Sequence, residues 1–285
     1  MPKKRVVIIS LAVLLAVYGV YFFSQTASQQ SDWRVQYQRM PVVHLQGDTL
    51  TVKSLRDFRY AADGAVTDAR YIDKTYSLPK LRGAWFGLSH FGCCGLAHAF
   101  VSFEFEENQY LVVSIEARVR NDQPGYDPVV GLFREYTKFV VLATEQDVIG
   151  LRSHVRKEPV FLYPLKGSML QARALLLSFL RRSENLERRA EFYNTLTDNC
   201  LTGLLAESGR NPELYHWLDY RIVLPGYADE LLSEKGVLWQ QGAIESIRAQ
   251  SRVVPENVAL EDPQFSVKIR NLDTYGGPLN SDEQE

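Results

Sequence analysis

Val6 to Phe23 is an unbroken stretch of 18 residues without a charge, preceded by Lys3-Lys4-Arg5. It is long and apolar enough to predict a membrane-spanning helix. Residues 24–32 are polar and read as a linker, and Trp33 to about Thr51 carries only short mixed apolar stretches. Leu81 to Phe91 holds Trp85 and Phe86 and leads into Gly92-Cys93-Cys94-Gly95, a loop by its glycines. The clearest alternation follows. In His98–Phe105 the odd positions are Ala99, Val101, Phe103 and Phe105; in Tyr110–Arg118 they are Leu111, Val113, Ile115 and Ala117. Both segments predict half-buried strands, joined by a hairpin loop at Glu106–Gln109. Lys138–Ala143, Asp147–Arg152 and Pro159–Tyr163 are three further strand candidates. Ser168–Arg182 places Met169, Leu170, Ala174, Leu177 and Leu180 at helical spacing, and helices are expected after Thr197 and across Tyr227–Leu238. A β-rich block followed by helices predicts an α+β fold, with an antiparallel sheet ahead of the helices. The expected division is an anchor at 1–23, a linker and lead-in at 24–54, a main domain at 55–240, and a C-terminal extension ending in an acidic tail at 241–285.

Charge placement gives the first helix a direction. Lys and Arg on the near side predict that end in the cytoplasm and the body outside it. Tyr18 and Tyr21–Phe23 fall near the far end, where aromatic rings suit the interface. A cleaved signal peptide asks for a shorter apolar core and an A-x-A-like site, but Ser24–Ser28 offers Ala27 with Gln25 two residues before it. The expectation is an uncleaved single-pass anchor in the inner membrane with the body in the periplasm. No cysteine directly follows the apolar stretch, so the chain is not expected to be a lipoprotein. Ala174–Leu180 is too short to span and runs into Arg181-Arg182. Apart from Lys3, Lys4 and Arg5, 29 basic residues face 34 acidic ones, so the remainder carries −5 and offers no basic stripe for nucleic acid. With 46% hydrophobic and 12% aromatic residues the chain can build a sizeable core, which excludes disorder as the main state. Three cysteines are too few for a disulfide scaffold.

Candidate chemistry centres on one cysteine. In Tyr193-Asn194-Thr195-Leu196-Thr197-Asp198-Asn199-Cys200, Thr197 and Asp198 are good helix-capping types, which puts Cys200 in the first turn of the helix that follows. Unpaired backbone N–H groups and the helix dipole lower a thiol's pKa there and can hold an oxyanion. The bland alternative is a buried free cysteine of the core. Of the five histidines (His44, His90, His98, His154 and His216), His98 stands out because it begins the first alternating strand. Matching the apolar faces of the two strands across a three-residue loop sets His98 opposite Glu116 or Arg118. The first register supplies a carboxylate to orient the imidazole. Glu116 read alone is an ordinary surface pair with Arg118 or Arg120. Adjacent Cys93-Cys94 with His90 and His98 fits zinc spacing poorly, so neither a metal nor another cofactor is expected. P-loop, G-x-G-x-x-G, G-x-S-x-G and H-E-x-x-H patterns are all missing.

Tyr193-Asn194 through Asn199-Cys200 resembles the Y-N-…-N-C segment of the lecithin:retinol acyltransferase group, part of the permuted branch of papain-like (NlpC-related) thiol enzymes. There the histidine comes first, on a strand, and the cysteine later, at a helix N-terminus; this chain has that order. A fuller set is similar to the bacterial family named for the N-terminal periplasmic domain of the lipoprotein N-acyltransferase Lnb. It comprises His98–Phe105, Ser114–Arg118, Tyr126, Gly131–Arg134, Glu145, Asp147, Leu151-Arg152, Tyr163–Leu165 and Phe192–Cys200, over roughly residues 55–235. The resemblance implies an extracytoplasmic permuted papain-like domain with Cys200 and His98 as dyad. The hairpin register makes Glu116 the expected orienting acid, and neighbourhood to Cys200 makes Tyr193, Asn194 and Asn199 the expected oxyanion or supporting groups. The resemblance also implies acyl transfer or hydrolysis on lipid-linked ester or amide substrates, with a lipoprotein, phospholipid or cell-envelope peptide as partner. The Lnb architecture continues into a multi-spanning membrane part, and this chain ends without one, so thiol chemistry carries over better than the exact reaction. A cysteine peptidase or amidase on cell-wall peptides, or a non-catalytic envelope binding module, stands as the alternative.

Overall fold

The computed structural model describes residues 2–209 and 219–270. His216 and the expected tail from Gly276 lie outside them. The elements are α1 (Pro2–Ser24), β1 (Val42–Gln46), β2 (Thr49–Arg56), β3 (Arg59–Tyr60), β4 (Val66–Asp68), β5 (Tyr71–Ser77), β6 (Leu81–His90), β7 (Ala97–Phe105), β8 (Gln109–Arg118) and β9 (Thr137–Ala143). After these come α2 (Glu145–Gly150), β10 (Val160–Pro164), α3 (Met169–Arg188), α4 (Cys200–Glu207), α5 (Tyr220–Val223), α6 (Ala228–Glu234), α7 (Ile244–Ser251) and α8 (Phe265–Lys268). The fold is α+β, as the order of patterns predicts.

One sheet runs β1-β2-β9-β8-β7-β6-β10, with β5 also paired to β2. Its ladders are antiparallel except for a single parallel pair, Arg56↔Ala143, between β2 and β9. The β7–β8 hairpin turns through Glu107 and Asn108, both at positive φ, and Gln109 already belongs to β8. That three-residue turn, 106–108, fixes the register: Phe100 faces Ser114 and Phe105 faces Gln109. Carried two residues further, it sets His98 against Glu116, the first of the two expected registers.

The central strands are buried on both faces, not one. Odd positions such as Ala99, Val101, Phe103, Leu111, Val113 and Ile115 pack in one core with α3, α4 and α6. Even positions Phe100 and Val112 belong to a second core with Trp85, Phe139, Val148, Ile149 and Phe265. The polar even positions are buried or half-buried with them and are paired internally. Ser102 and Arg270 both bond the Glu145 carboxylate, and the Trp85 indole N–H donates to Glu104 at 2.6 Å.

The strand expected over Asp147–Arg152 is instead α2, continued by a π-helical turn over Leu151–Val155. Its start is chemical: the Thr144 hydroxyl accepts the Asp147 N–H, and Glu145 and Asp147 place negative charge in the first turn. Val148, Ile149 and Leu151 are buried, a short apolar spacing that suits helix and strand equally. The folded body reaches past the boundaries drawn at 55 and 240. β1 and most of β2 precede the first, whereas the Arg270 guanidinium, bound to Glu145 at 2.6 Å, follows the second. The segment read as a linker is held too: Gln29 Nε2 donates to the Leu186 carbonyl at 2.6 Å.

Within α1, Arg5–Ser24 is a 20-residue stretch of mean hydropathy 2.6, with none of its described residues fully buried. At 1.5 Å per residue it is about 30 Å long, the thickness of a bilayer's hydrocarbon core.

Candidate functional site

α4 begins later than its capping residues suggest. Asn199, not Thr197 or Asp198, is the N-cap: its side-chain oxygen accepts the Thr202 N–H at 2.9 Å, and the Thr202 hydroxyl accepts the Asn199 N–H at 2.7 Å. Asp198 binds the buried Lys138 ammonium instead. Cys200 therefore stands at the first position of the helix. Its thiol is buried, 3% exposed.

The sulfur reaches His98 through a gap between strands. The β6–β7 ladder continues to His90↔Ala97, but the β7–β8 ladder stops at Phe100↔Ser114. Beyond that pair the Ala99 N–H donates to Cys200 Sγ at 3.4 Å, in place of a partner on β8. The thiol's own donor contact is the Ala97 carbonyl at 4.0 Å, and the His98 imidazole lies beside it, close enough that each shifts the other's pKa. His98 Nε2–H donates to Ser114 Oγ at 2.6 Å, and the Ser114 hydroxyl donates to Glu116 Oε1 at 3.0 Å. With Nε2 held in this way, Nδ1 is the ring nitrogen left for the sulfur. Glu116 Oε1 is also 3.5 Å from Nε2 and accepts from Arg152 Nη2 at 3.3 Å.

The charges follow from these contacts. Burial pushes the Cys200 thiol up, but the His98 hydrogen bond and charge, with the Ala99 and Leu201 N–H groups, bring it below its ordinary value. Burial and Arg152 push His98 down; its bonds to Cys200 and Glu116 outweigh them and hold it above its ordinary value. Burial opposes the charge on Glu116, yet His98, Arg56 and Arg152 keep its carboxyl well below the usual range. The pair is thus biased towards thiolate and imidazolium, with a carboxylate behind the imidazole.

Of the expected site residues, Cys200, His98, Glu116, Tyr193 and Asn199 meet at one cleft of about 320 Å³. Tyr193 accepts the Cys200 backbone N–H on its hydroxyl at 3.2 Å. Asn199 supports the site as the α4 cap, its amide donating to the Thr195 and Ile222 carbonyls. Asn194 is not an oxyanion donor here. Its Nδ2 donates to the Leu132 carbonyl at 3.4 Å, and its Oδ1 accepts the Leu196 and Thr197 N–H groups, so its amide shapes a turn instead of facing the cleft. Two further residues complete the site: Ser114, on the even face of β8 with Glu116, and Arg152, from the π-helical turn after α2 where the sequence predicts a strand.

Cys93 and Cys94 are exposed free thiols 2.9 Å apart, on a loop pinned by Gly226 N–H donating to the Gly95 carbonyl at 2.8 Å. Gly95 is required there: its φ is +81°, and a Cβ would come 2.4 Å from the Tyr227 ring. Phe91 and Leu96, flanking the loop, line the cleft. Among the described residues no group of three or more His, Cys, Asp and Glu could hold a metal ion.

A family model described as the Lnb N-terminal periplasmic domain matches residues 67–223, more than half of the chain. The chain belongs to the Lnb N-terminal periplasmic domain family. His98, Ser114, Glu116, Arg152, Tyr193 and Cys200 all fall inside the matched span of this Lnb-type domain. Membership of a periplasmic-domain family and one N-terminal apolar helix are consistent with a membrane-anchored periplasmic protein. No curated protein and no solved structure matches the chain.

Proposed function

We propose that this protein is a thiol acyltransferase or hydrolase on a permuted papain-like fold, held to the inner membrane by α1 with its body in the periplasm. Its substrates are lipid-linked esters or amides, lipoprotein acyl groups among them. The observation that carries the reading is the Cys200 thiol at the start of α4, in one cleft with an imidazole that is tied through Ser114 to Glu116. The order, strand histidine before helix cysteine, supports the permuted papain-like assignment.

The chemistry follows from the geometry. The Cys200 thiolate attacks the acyl carbonyl, a C–S bond forms, and the carbonyl oxygen takes up the displaced electron pair. When that oxyanion collapses, the ester C–O bond breaks, and His98 gives its proton to the leaving alcohol, leaving a thioester on Cys200. His98, now neutral, takes a proton from the acceptor, an amine or water, as it attacks the thioester and releases the thiolate. Glu116, acting through Ser114, favours the imidazolium and fixes the ring.

The test is to trap the thioester. The full chain is incubated in nanodiscs with a phospholipid or a diacylated lipopeptide, and the Cys200 peptide is examined by mass spectrometry for one added acyl group. Cys200→Ala and His98→Ala should lose it. A wild-type chain that binds acyl donors and never acquires an acyl group or turns them over would overturn the proposal in favour of a binding module. Cleavage of a cell-wall peptide amide without acyl transfer would move it to the peptidase class.

A further inference from the structure

The loop from Asp127 to Arg134 leaves apolar side chains in the open. Val129 is 64% exposed, Val130 36% and Phe133 44%, and Leu196, on the adjoining turn, is 48% exposed. The two segments are tied together: the Thr195 hydroxyl donates to the Pro128 carbonyl at 2.7 Å, and the Thr195 N–H to the Gly131 carbonyl at 3.2 Å. Asp127, the charged group at the loop's start, turns its carboxylate onto the Val129 and Val130 N–H groups at 2.7 and 3.1 Å. Tyr126, Pro128 and Thr195 also line the Cys200 cleft, so this apolar group sits at its rim.

What lies against the rim follows from α1. Phe133 packs edge-on to Tyr18, with ring centroids 6.2 Å apart. Tyr18 stands six residues before the end of α1 at Ser24, about 9 Å down the helix at 1.5 Å per residue. With Arg5–Ser24 filling the hydrocarbon thickness, Phe133 lies about 9 Å inside the headgroup–acyl boundary, within the roughly 5–10 Å to which interfacial apolar faces bury. Arg134 beside it donates to the Phe22 carbonyl at 3.1 Å and lies over the Phe22 ring at 4.4 Å, the behaviour of a cation at the polar edge of a bilayer.

We propose that residues 129–133 and Leu196 form a lip that enters the leaflet from which α1 emerges, so that the Cys200 cleft opens against phospholipid. The occupant of this apolar surface is the bilayer that α1 spans. The lip deepens the functional reading by giving acyl substrates a route from the leaflet, but it rests on the placement of α1 and not on thiol reactivity. The two can therefore fail separately.

The experiment measures depth. The full chain, with Cys93, Cys94 and Cys200 replaced by Ser, carries one added cysteine labelled with an environment-sensitive fluorophore. The positions are Val129→Cys on the lip, Val17→Cys on α1 and Leu170→Cys as a control. Leu170 is also exposed, and it lies about 24 Å along α3 from the Leu186 carbonyl that Gln29 holds. In phosphatidylethanolamine–phosphatidylglycerol vesicles containing brominated acyl chains, the Val129 label should shift to the blue. Bromines near the headgroup should quench it by about twofold or more, as an interfacial depth requires. The Val17 label should be quenched by deep bromines, and the Leu170 label by neither. Quenching at Val17 with none at Val129 overturns the lip. A blue shift at Val129 without quenching means that protein covers the patch, and overturns it equally. No quenching at Val17 removes the anchor and the lip together. If the native chain turns over acyl lipids, V129E/F133E should slow a bilayer-held substrate at least about tenfold and spare a water-soluble short-chain ester.

Discussion

Replacing His98 by Ala should slow alkylation of Cys200 at low pH several-fold. An ordinary thiol with a pKa of about 8.5 is only about 0.3% thiolate at pH 6, and each unit of lowering raises that share about tenfold. The lowering at Cys200 comes from the His98 hydrogen bond and charge, working against burial. A charged hydrogen-bond partner is worth about 1.5–3 kcal/mol, or about 12- to 160-fold in an equilibrium constant. The variant's thiolate, being more basic, is also the better nucleophile. A Brønsted slope of about 0.4–0.5 returns a little under half of the loss. The net expectation is a rate at pH 6 that falls about 4- to 16-fold.

The assay is iodoacetamide labelling of the Cys200 peptide, read by mass spectrometry in the full chain with Cys93 and Cys94 changed to Ser. Because Cys200 is only 3% exposed, access limits both chains, and the ratio of their rates is the quantity to read. The gap should narrow as pH rises and the variant's thiol ionises without its partner. A ratio of one at pH 6, or a wild-type rate that climbs only through the ordinary thiol range, would refute the pairing.

Glu116→Gln should reduce turnover less than His98→Ala, because Glu116 acts through the imidazole. Since the carboxylate helps to raise His98, its loss should move the alkaline limb of the pH–rate profile to lower pH; an unmoved limb would detach Glu116 from the histidine. The same carboxyl is depressed in the fold, so its stabilisation is present above the unfolded carboxyl value of about 4.3 and is lost as pH falls through the folded one. Stability measured below about pH 4 should therefore fall less steeply in Glu116→Gln than in the parent chain. Changing Cys93 and Cys94 together to Ser should keep most activity; a variant as inert as Cys200→Ala, or stoichiometric zinc in the parent, would give that loop a chemical role. Gly87→Ala places a Cβ 2.1 Å from Phe100 Cε2 in the second core. Overpacking of about 1–3 kcal/mol should lower Tm by about 2–12 °C in thermal denaturation, and an unchanged Tm would mean that the ring yields freely.

Sequence reading succeeded where local rules decide and failed where pairing is remote. The β7–β8 register follows from alternation and a short turn, and α3 from periodicity. The second buried face was illegible because its residues look solvated. Ser102, Ser114 and Glu116 are polar, and only Glu145, Arg152 and Arg270, brought in from α2, its π-turn and the chain beyond α8, turn them into an interior network. A polar stripe on a strand and a satisfied polar stripe inside a core share one pattern, and the partner that separates them can lie 125 residues away, as Arg270 does from Glu145. Strands β3 and β4 fail for the opposite reason: at two and three residues they are too brief to give a period.

The site itself joins two legible facts by one that is not. A histidine set against Glu116 and a cysteine at a helix start are both readable locally, but their contact depends on where β7 and β8 cease to pair. That break goes with the close seating of α4: Gly203 stands so near β8 that a Cβ there would lie 2.7 Å from Ile115 Cδ1. A helix seated this closely, one turn after its first residue, brings the Cys200 sulfur to the backbone of Ala99. The missing side chain of Gly203 is therefore as much a condition of the Cys200–His98 contact as the capping of Cys200 by Asn199. It contributes by being small, in a helix otherwise rich in leucine, and nothing in its immediate sequence distinguishes it from an ordinary helix glycine.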